Sequence, residues 1–503
     1  MTDVPGDADA AGQRGVRDAC VIHEYLAEAQ VASLRALSSV LMSAITVVGL
    51  SESGRPDVRS ILGPAGDAVL IHHVTLIDGR GGLPMPGAVV LVRDGRIRAA
   101  GLDGEIDVPA GIMRIDGRGG FLLPGFVDVH AHTALGPVRL DTTGGSPVMA
   151  ALPDLDGSRR TLRLLLASGI TMARDPGGPA TRTVALRDSV ARGLLTGPRL
   201  LVAGEVIDRN PFKGLATAVA TPDDVRAEVR RQAAAGVDVI KLYAWLTPDL
   251  VEAGIDEAHR LGLPAIAHLM QTSWPEAAHM GIDGIVHIIG LSPDMLPPDS
   301  RPAYARMMTG SQFMFGWLDL LDPESCEVQD AIDAIAQRRV AVDPTLVVFE
   351  RAVRGDDPAI THSPALDLAS PALLRDWRTF FTFNIGWSAD DFRRARAAWP
   401  KALRLTKLLW DRGALITAGT DANNPWTVPG ESFHRELELL VEAGIPAADV
   451  IRIETRNGAE SLRMLDQTGT IEVGKRADLV LLREDPLRSI GATRSIAWVR
   501  RMA

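Results

Sequence analysis

The chain has 503 residues, with 53 Lys and Arg against 63 Asp and Glu and a net charge of −10. Hydrophobic residues make up 46% and charged residues 23%, the balance of an ordinary globular protein, which excludes a wholly disordered chain, a fibrous repeat and a disulfide scaffold. The acidic surplus argues against a nucleic-acid partner, because phosphate binding needs a basic surface.

Residues 1 to about 15 are rich in Gly, Asp and Ala, and residues 16–50 read as a helix. The apolar run from Ala36 to Ser51 is too short to span a membrane and is interrupted by Ser38, Ser39, Ser43 and Thr46. No basic segment opens the chain, so neither a secretory signal nor a membrane association is expected. The segment reads instead as an amphipathic helix that docks on the body or on a partner subunit, which predicts a homo-oligomer. The two cysteines, Cys20 and Cys326, form no metal-binding or CxxC pattern and fit a reducing compartment, so a cytoplasmic protein is expected. Residues 51–67, with Gly54, Pro56, Gly63, Pro64 and Gly66, read as a linker, closing an N-terminal extension of residues 1–67.

From Ala68 the period becomes two. AVLIHHVTLIDG, GAVVLVRDGRIRAAG and GIMRIDGRGGFLLPG are short strands between Gly-rich turns, and similar material returns in GTIEVGKRADLVLLREDP and SIAWVRRM. Residues 68–124 and 466–503 are therefore expected to build one small β-sandwich from both ends of the chain. Between them, over 125–465, strand-like and helix-like segments alternate. FVDVHAH, ITMARD, RLLVAGEV, VDVIKLYA, PAIAHLM, GIVHII, VAVDPTLV and ALITAGTD are eight apolar, β-branched runs. TPDDVRAEVRRQAAAG and TPDLVEAGIDEAHRLG carry a Thr-Pro helix start and a Gly stop. Eight such units predict an α/β fold, a (β/α)8 TIM-type barrel. The span of about 340 residues exceeds the roughly 250 usual for this fold, and the excess falls in Gly290 to Glu324 and Phe349 to Trp410, read as insertions near the rim.

His130 and His132 are two apart on the first strand, so both side chains share a face. Lys241 lies in the fourth strand, His268 ends the fifth, His287 ends the sixth and Asp421 ends the eighth. Taken singly, each has a plainer reading. A buried lysine is usually paired with a carboxylate, a lone histidine is usually a hydrogen-bonded core residue, and Asp421 could cap the next helix. Together they interrupt apolar strands near their C-terminal ends, which converge on one mouth in a parallel barrel. Burying uncompensated charge is costly, and a pair of divalent cations would compensate the carboxylate and the lone-pair groups together. Tyr243, one of three tyrosines, shares the face of Lys241 and is either a donor to substrate or a packed rim residue. Asn423 and Trp426 lie just past Asp421 as pocket candidates, and His434 follows the last strand closely enough for a substrate or supporting role. Arg174 and Asp175 either pair with each other or touch substrate, the structural role being preferred. His259 and His279 read as solvated, His72 and His73 belong to the terminal β region, and His23 and His362 fall in poorly defined stretches.

The ordered set LPGFVDVHAH (123–132), IKLYA (240–244), AIAHL (265–269), GIVHI (284–288), TAGTD (417–421) and NGAESLRMLDQTGTIEVGKRADLVLL (457–482) resembles the amidohydrolase superfamily, over roughly residues 68 to 490. The nearest likeness is to the branch with imidazolonepropionase-like proteins, prolidase-type dipeptidases, ochratoxin-type amidases and the molinate and phenylurea hydrolases. The resemblance implies that His130, His132 and Asp421 bind the more buried of two divalent metals. It implies that a carboxylated Lys241 bridges both, and that His268 and His287 hold the second. Asp421 and Tyr243 would be the catalytic residues, with Tyr243, Asn423, Trp426 and His434 around a small-molecule substrate. Zinc is the first choice of metal, with cobalt, manganese and iron as alternatives.

The function expected is hydrolysis of an amide-type C–N bond in an N-acyl amino acid, dipeptide, carbamate or urea. A mononuclear hydrolase or deaminase of a cyclic amide or amidine is the alternative. Sites resembling deaminases need a Glu shortly after the strand-five histidine, where this chain has Gln271. A non-catalytic scaffold is the third reading, against which all six ligands are retained.

Overall fold

The computed structural model describes residues 45–50 and 56–57 as backbone strands and residues 68–143, 147–308 and 310–502 in full. Most of the expected N-terminal helix, with Cys20 and His23, lies outside the described residues. Its last part differs from the expectation: Ile45–Leu50 is a strand, paired antiparallel to Ile496–Met502. The physical reason is local. Ile45, Thr46, Val47 and Val48 are β-branched, which disfavours helix, and the strand Ile496–Met502 offers them a ladder.

Both ends of the chain meet in one nine-stranded sheet, ordered 56–57, 45–50, 496–502, 479–482, 121–124, 69–76, 85–93 and 96–102, with 113–116 also paired to 69–76. Val69, Ile71, Val74, Val90, Ile97, Leu122 and Leu479 cluster on one of its faces, the alternation expected of period-two strands.

The remainder is α/β with parallel sheets. In chain order the strands are β1 (Phe126–Asp128), β2 (Ile170–Asp175), β3 (Arg199–Val202), β4 (Ile240–Leu242), β5 (Ala265–Ala267), β6 (Gly284–Val286), β7 (Ala341–Asp343) and β8 (Leu415–Ile416). β1, β2 and β3 pair in parallel, as do β4 through β8 in sequence. Parallel bridges Ala203–Val239 and Ala131–Ala422 join the segments after β3 and before β4, and those after β1 and β8. Ala203, Val239, Ile266 and Val286 pack together between the strands.

The connecting helices begin where side chains satisfy the free N–H groups. Thr221 and Asp224 form a capping box before Pro222–Ala235, which ends on left-handed Gly236. Ser273 and Glu276 do the same for Trp274–Met280. The two long insertions are helical. Arg301–Met307 and Phe313–Leu320 follow β6, and Leu346–Val353, Pro371–Thr379 and Ala389–Asp411 follow β7. Among the described residues no helix is long and apolar enough to cross a membrane.

Candidate metal centre

His130 and His132 follow β1, Lys241 is in β4, and His268 and His287 directly follow β5 and β6. With Asp421 they line one cavity of about 300 Å³. Imidazole centroids lie 5.5 Å apart for His130 and His132, 4.9 Å for His130 and His287, and 4.5 Å for His268 and His287. Asp421 Oδ1 is 3.3 Å from Nε2 of His130 and 3.2 Å from Nε2 of His132.

The other ring nitrogens decide what those Nε2 atoms present. His132 Nδ1 is 3.2 Å from the carbonyl oxygen of Gly177, which can only accept, so Nδ1 carries the proton. His130 Nδ1 is 3.0 Å from Asp343 Oδ2 and donates in the same way. Both Nε2 atoms then point lone pairs at a carboxylate. Three electron-rich atoms facing one another within 4.8 Å call for a cation. His130, His132 and Asp421 therefore form a possible metal site.

Lys241 and His268 carry the second sign. Lys241 is 2% exposed, yet its Nζ has no hydrogen-bond partner, and neither ring nitrogen of His268 has one. Burial, with help from Arg174, pushes the Lys241 ammonium down to about 7. Burial likewise pushes His268 down to about 3, with Lys241 adding to it. His287 is held well below its ordinary value for the same reason, with His268 beside it. Both histidines are thus set to offer lone pairs rather than charge, and the Lys241 amine loses its proton near neutral pH. Burial works against the Asp421 anion, but His130 and His132 outweigh it and hold the carboxyl well below the usual range when their Nε2 atoms carry protons, the place a cation takes when both rings are in the ligating tautomer. The residues present fit divalent cations.

The backbone is bent to make this set. His287 and Asp421 adopt φ of 75° and 57°, a left-handed conformation that costs free energy in non-glycine residues. Asp128 ties the two relevant strand ends together, accepting from His130 N at 3.0 Å and Thr420 Oγ1 at 2.9 Å. Gly419 has no room for a side chain: a Cβ there would sit 2.5 Å from Asp343 Oδ1 and 2.7 Å from the His130 Cβ.

Tyr243 lines the cavity with its ring against His268, centroids 4.8 Å apart. Burial and the nearby Asp421 charge raise its phenol above the ordinary value, so it stays a donor. The structure does not bring Asn423, Trp426 and His434 to the cavity wall. Left-handed Asn423 turns away, and its Nδ2 donates to the His132 carbonyl oxygen at 2.7 Å and to Thr161 Oγ1 at 3.1 Å. Trp426 packs on Trp377, and His434 Nδ1 meets Thr493 Oγ1 at 3.0 Å. Arg174 and Asp175 are not a pair. Asp175 accepts from Thr133 N, Thr133 Oγ1, Ala134 N and Gly177 N, fixing the loop behind His132. His259 binds Asp283, and half-buried His72 with exposed His73 and Asp116 forms a second possible cation group on the terminal sheet.

Three residues escaped the sequence reading. Asp343 orients His130, Thr345 Oγ1 lies 2.7 Å from His287 Nδ1, and Asn424 Nδ2 donates to Asp421 Oδ1 at 2.7 Å. Asp343 carried a usable signal, a polar residue closing an apolar strand. Asn424 carried none that distinguished it from its neighbour.

A model described as the amidohydrolase family matches residues 121–497. The chain belongs to the amidohydrolase family. Membership supports an enzyme acting on C–N bonds. A 5-methylthioadenosine/S-adenosylhomocysteine deaminase of Halalkalibacterium halodurans is 39% identical over 79 residues, 14% of this chain, and the match spans only 18% of that relative's length. Among solved structures, a Xaa-Pro dipeptidase with methionine in its active site is similar at TM-score 0.62 and 21% identity, covering 86% of this amidohydrolase and 97% of that chain. An ochratoxinase of A. niger is similar at TM-score 0.62 and 18% identity, covering 87% and 94%. At these identities the likeness speaks for a TIM-barrel-like α/β fold.

Asn423 gives a test of position against contact. Asn423→Ala leaves the His132 carbonyl and Thr161 without their donor, and a loss of about 1–3 kcal/mol of stability is expected with KM unchanged. Denaturant titration beside steady-state kinetics checks this; a raised KM at unchanged stability would return Asn423 to the substrate.

Proposed function

We propose that this amidohydrolase is a binuclear metal-dependent hydrolase cleaving an amide-type C–N bond of a small molecule. One observation carries the reading: the partnerless, buried Lys241 Nζ and His268 nitrogens share a cavity with the convergent His130, His132 and Asp421 atoms. His130, His132 and Asp421 would hold one cation, His268 and His287 the other, and a carboxylated Lys241 both. When bound, two divalent cations supply a water of lowered pKa and polarise the scissile carbonyl. Asp421 Oδ1 is taken up by Asn424, so Oδ2 is the oxygen to accept the water proton and pass it to the leaving nitrogen. Tyr243 donates its phenolic hydrogen to the substrate. Asp343 and the Gly177 carbonyl hold the imidazoles in the ligating tautomer.

The wider architecture belongs to the same proposal. A closed (β/α)8 barrel over 125–465 is supported by the Ala131–Ala422 and Ala203–Val239 bridges, which link the two parallel sheets on both sides. A small sandwich from 68–124 and 466–503 is supported by the sheet that both chain ends share. A homo-oligomer in the cytoplasm completes the reading; a free, exposed Cys326 suits a reducing compartment.

The deaminase relative favours a second reading, one metal and a deamination. Gln271 in place of an acid, and the unpartnered Lys241, favour the first. Metal analysis of the purified protein separates them: about two ions per chain supports the proposal, about one the deaminase, and none the scaffold.

Carboxylation needs the neutral amine. With the Lys241 pKa lowered to about 7, the protonated form dominates below that pH and the reactive amine above it. In metal-free protein at fixed dissolved carbon dioxide, 13C-labelled carbamate is expected to be low at pH 6, where about a tenth of the amine is free, and several-fold higher at pH 8, where about nine-tenths is free. A signal already maximal at pH 6 would remove the role given to burial.

A further inference from the structure

The cavity wall speaks to substrate class. Phe212, Trp245, Phe313, Phe349, Phe381 and Phe383 all line it. Five of the chain's 11 phenylalanines are thus gathered at one site, although aromatic residues are only 5% of the sequence. They come from separate elements: Phe313 from the helix Phe313–Leu320, Phe349 from Leu346–Val353, and Phe381 and Phe383 from the stretch after Pro371–Thr379. The Phe381 and Phe383 rings meet at 5.8 Å. The inserted segments therefore build an apolar chamber over the polar centre.

The polar inventory is as informative. Apart from the six ligand candidates, only Tyr243, Asn424 and the indole N–H of Trp245 add polar side-chain groups among the lining residues, and the Asn424 amide is engaged by Asp421. Among the described lining residues the one cation is Lys241, already committed to the centre. A substrate carboxylate lodged among the rings, away from the centre, would lose its water and meet no cationic side chain, which is strongly unfavourable. An uncharged ring would fill it. The volume of about 300 Å³ is twice the roughly 150 Å³ of an engineered cavity that takes benzene.

We propose that the substrate is an uncharged, largely apolar amide-type compound of the anilide, carbamate or arylurea class, held by the phenylalanine chamber, rather than a dipeptide or N-acyl amino acid. This rests on the hydrolase reading above and narrows it. Hydrolysis adds water across the C–N bond: the carbonyl carbon gains the hydroxyl and the leaving nitrogen gains the proton.

The test uses the full-length, metal-loaded protein and two matched series. One holds acetanilide, an N-phenyl carbamate and an N,N-dimethyl-N′-phenylurea; the other holds N-acetylphenylalanine, N-benzoylglycine and glycylproline. The neutral series is expected to lead in kcat/KM by about 100-fold or more, the scale of a mismatched buried polar group. Equal or better turnover of the carboxylates overturns the inference and leaves the hydrolase standing. Turnover of neither series overturns the hydrolase reading and the inference with it. Phe383→Arg and, separately, Phe381→Arg place a cation in the wall. With metal content unchanged, at least one is expected to shift the ratio toward the carboxylates by about tenfold or more. An unmoved ratio in both means that the phenylalanines do not set the preference.

Discussion

Replacing Lys241 by alanine is expected to lower kcat by about 10³-fold or more and to reduce bound metal from about two ions per chain to about one. The argument is electrostatic. Lys241 lies within the parallel-strand layer at 2% exposure with no partner for its Nζ, an arrangement that makes sense only if the nitrogen is neutralised or modified. A carbamate turns it into a ligand with two anionic oxygens. Without it, His268 and His287 alone hold their cation too weakly to keep it through purification. Elemental analysis, with circular dichroism to verify folding, checks the result. Short carboxylic acids are expected to restore part of the activity by occupying the vacated space. Full metal content and normal turnover in the variant would remove the bridging role altogether.

The second large effect is expected at Asp421. Asp421→Asn keeps the size and an acceptor oxygen for Asn424, so the left-handed turn and the fold should persist. What it removes is the anion that faces His130 and His132 and that, in the proposed mechanism, takes the proton from the attacking water. A fall of about 10²–10⁴ in kcat is expected, with little change in KM, as for loss of a proton-transfer group. Because the carboxyl is held well below the ordinary range, the wild-type group stays ionised into acid. The acidic side of the kcat/KM profile is therefore expected to change shape in the variant. A variant with wild-type kcat would assign the proton transfer to another residue.

The two effects differ in kind. In the proposed mechanism Lys241 acts through occupancy, so its loss is expected in the metal count before it appears in kinetics. In the same proposal Asp421 acts through charge at the reacting water, so its loss is expected in kcat whether or not the count changes. Measuring both quantities on both variants separates assembly of the centre from its chemistry.

Much of this was legible in residue order. The eight apolar runs each contribute one of the parallel strands, because β-branched stretches between Gly-bounded helices have few alternatives. The Thr221 capping box and the Gly236 stop stand where the Thr-Pro and Gly signals placed them. His130, His132, Lys241, His268, His287 and Asp421 share one cavity, because each breaks an apolar strand at its C-terminal side. Strand 45–50 was misread because an apolar run of that length carries no clear period, and its pairing partner lies at the other end of the chain.

Other features depend on contacts that residue order does not encode. Asn423 and Asn424 are neighbours of the same type. The left-handed backbone at Asn423 sends one amide behind His132 and leaves the other on Asp421. Asp343 reads as a strand terminus until His130, more than two hundred residues earlier, is seen against it. The phenylalanine chamber is the clearest case, since its rings come from helices and turns far apart along the chain. Strand identity and ligand chemistry are local properties, set by neighbours along the chain. Which face a turn presents, and which distant rings share a wall, follow from packing among elements that meet only after the chain has folded.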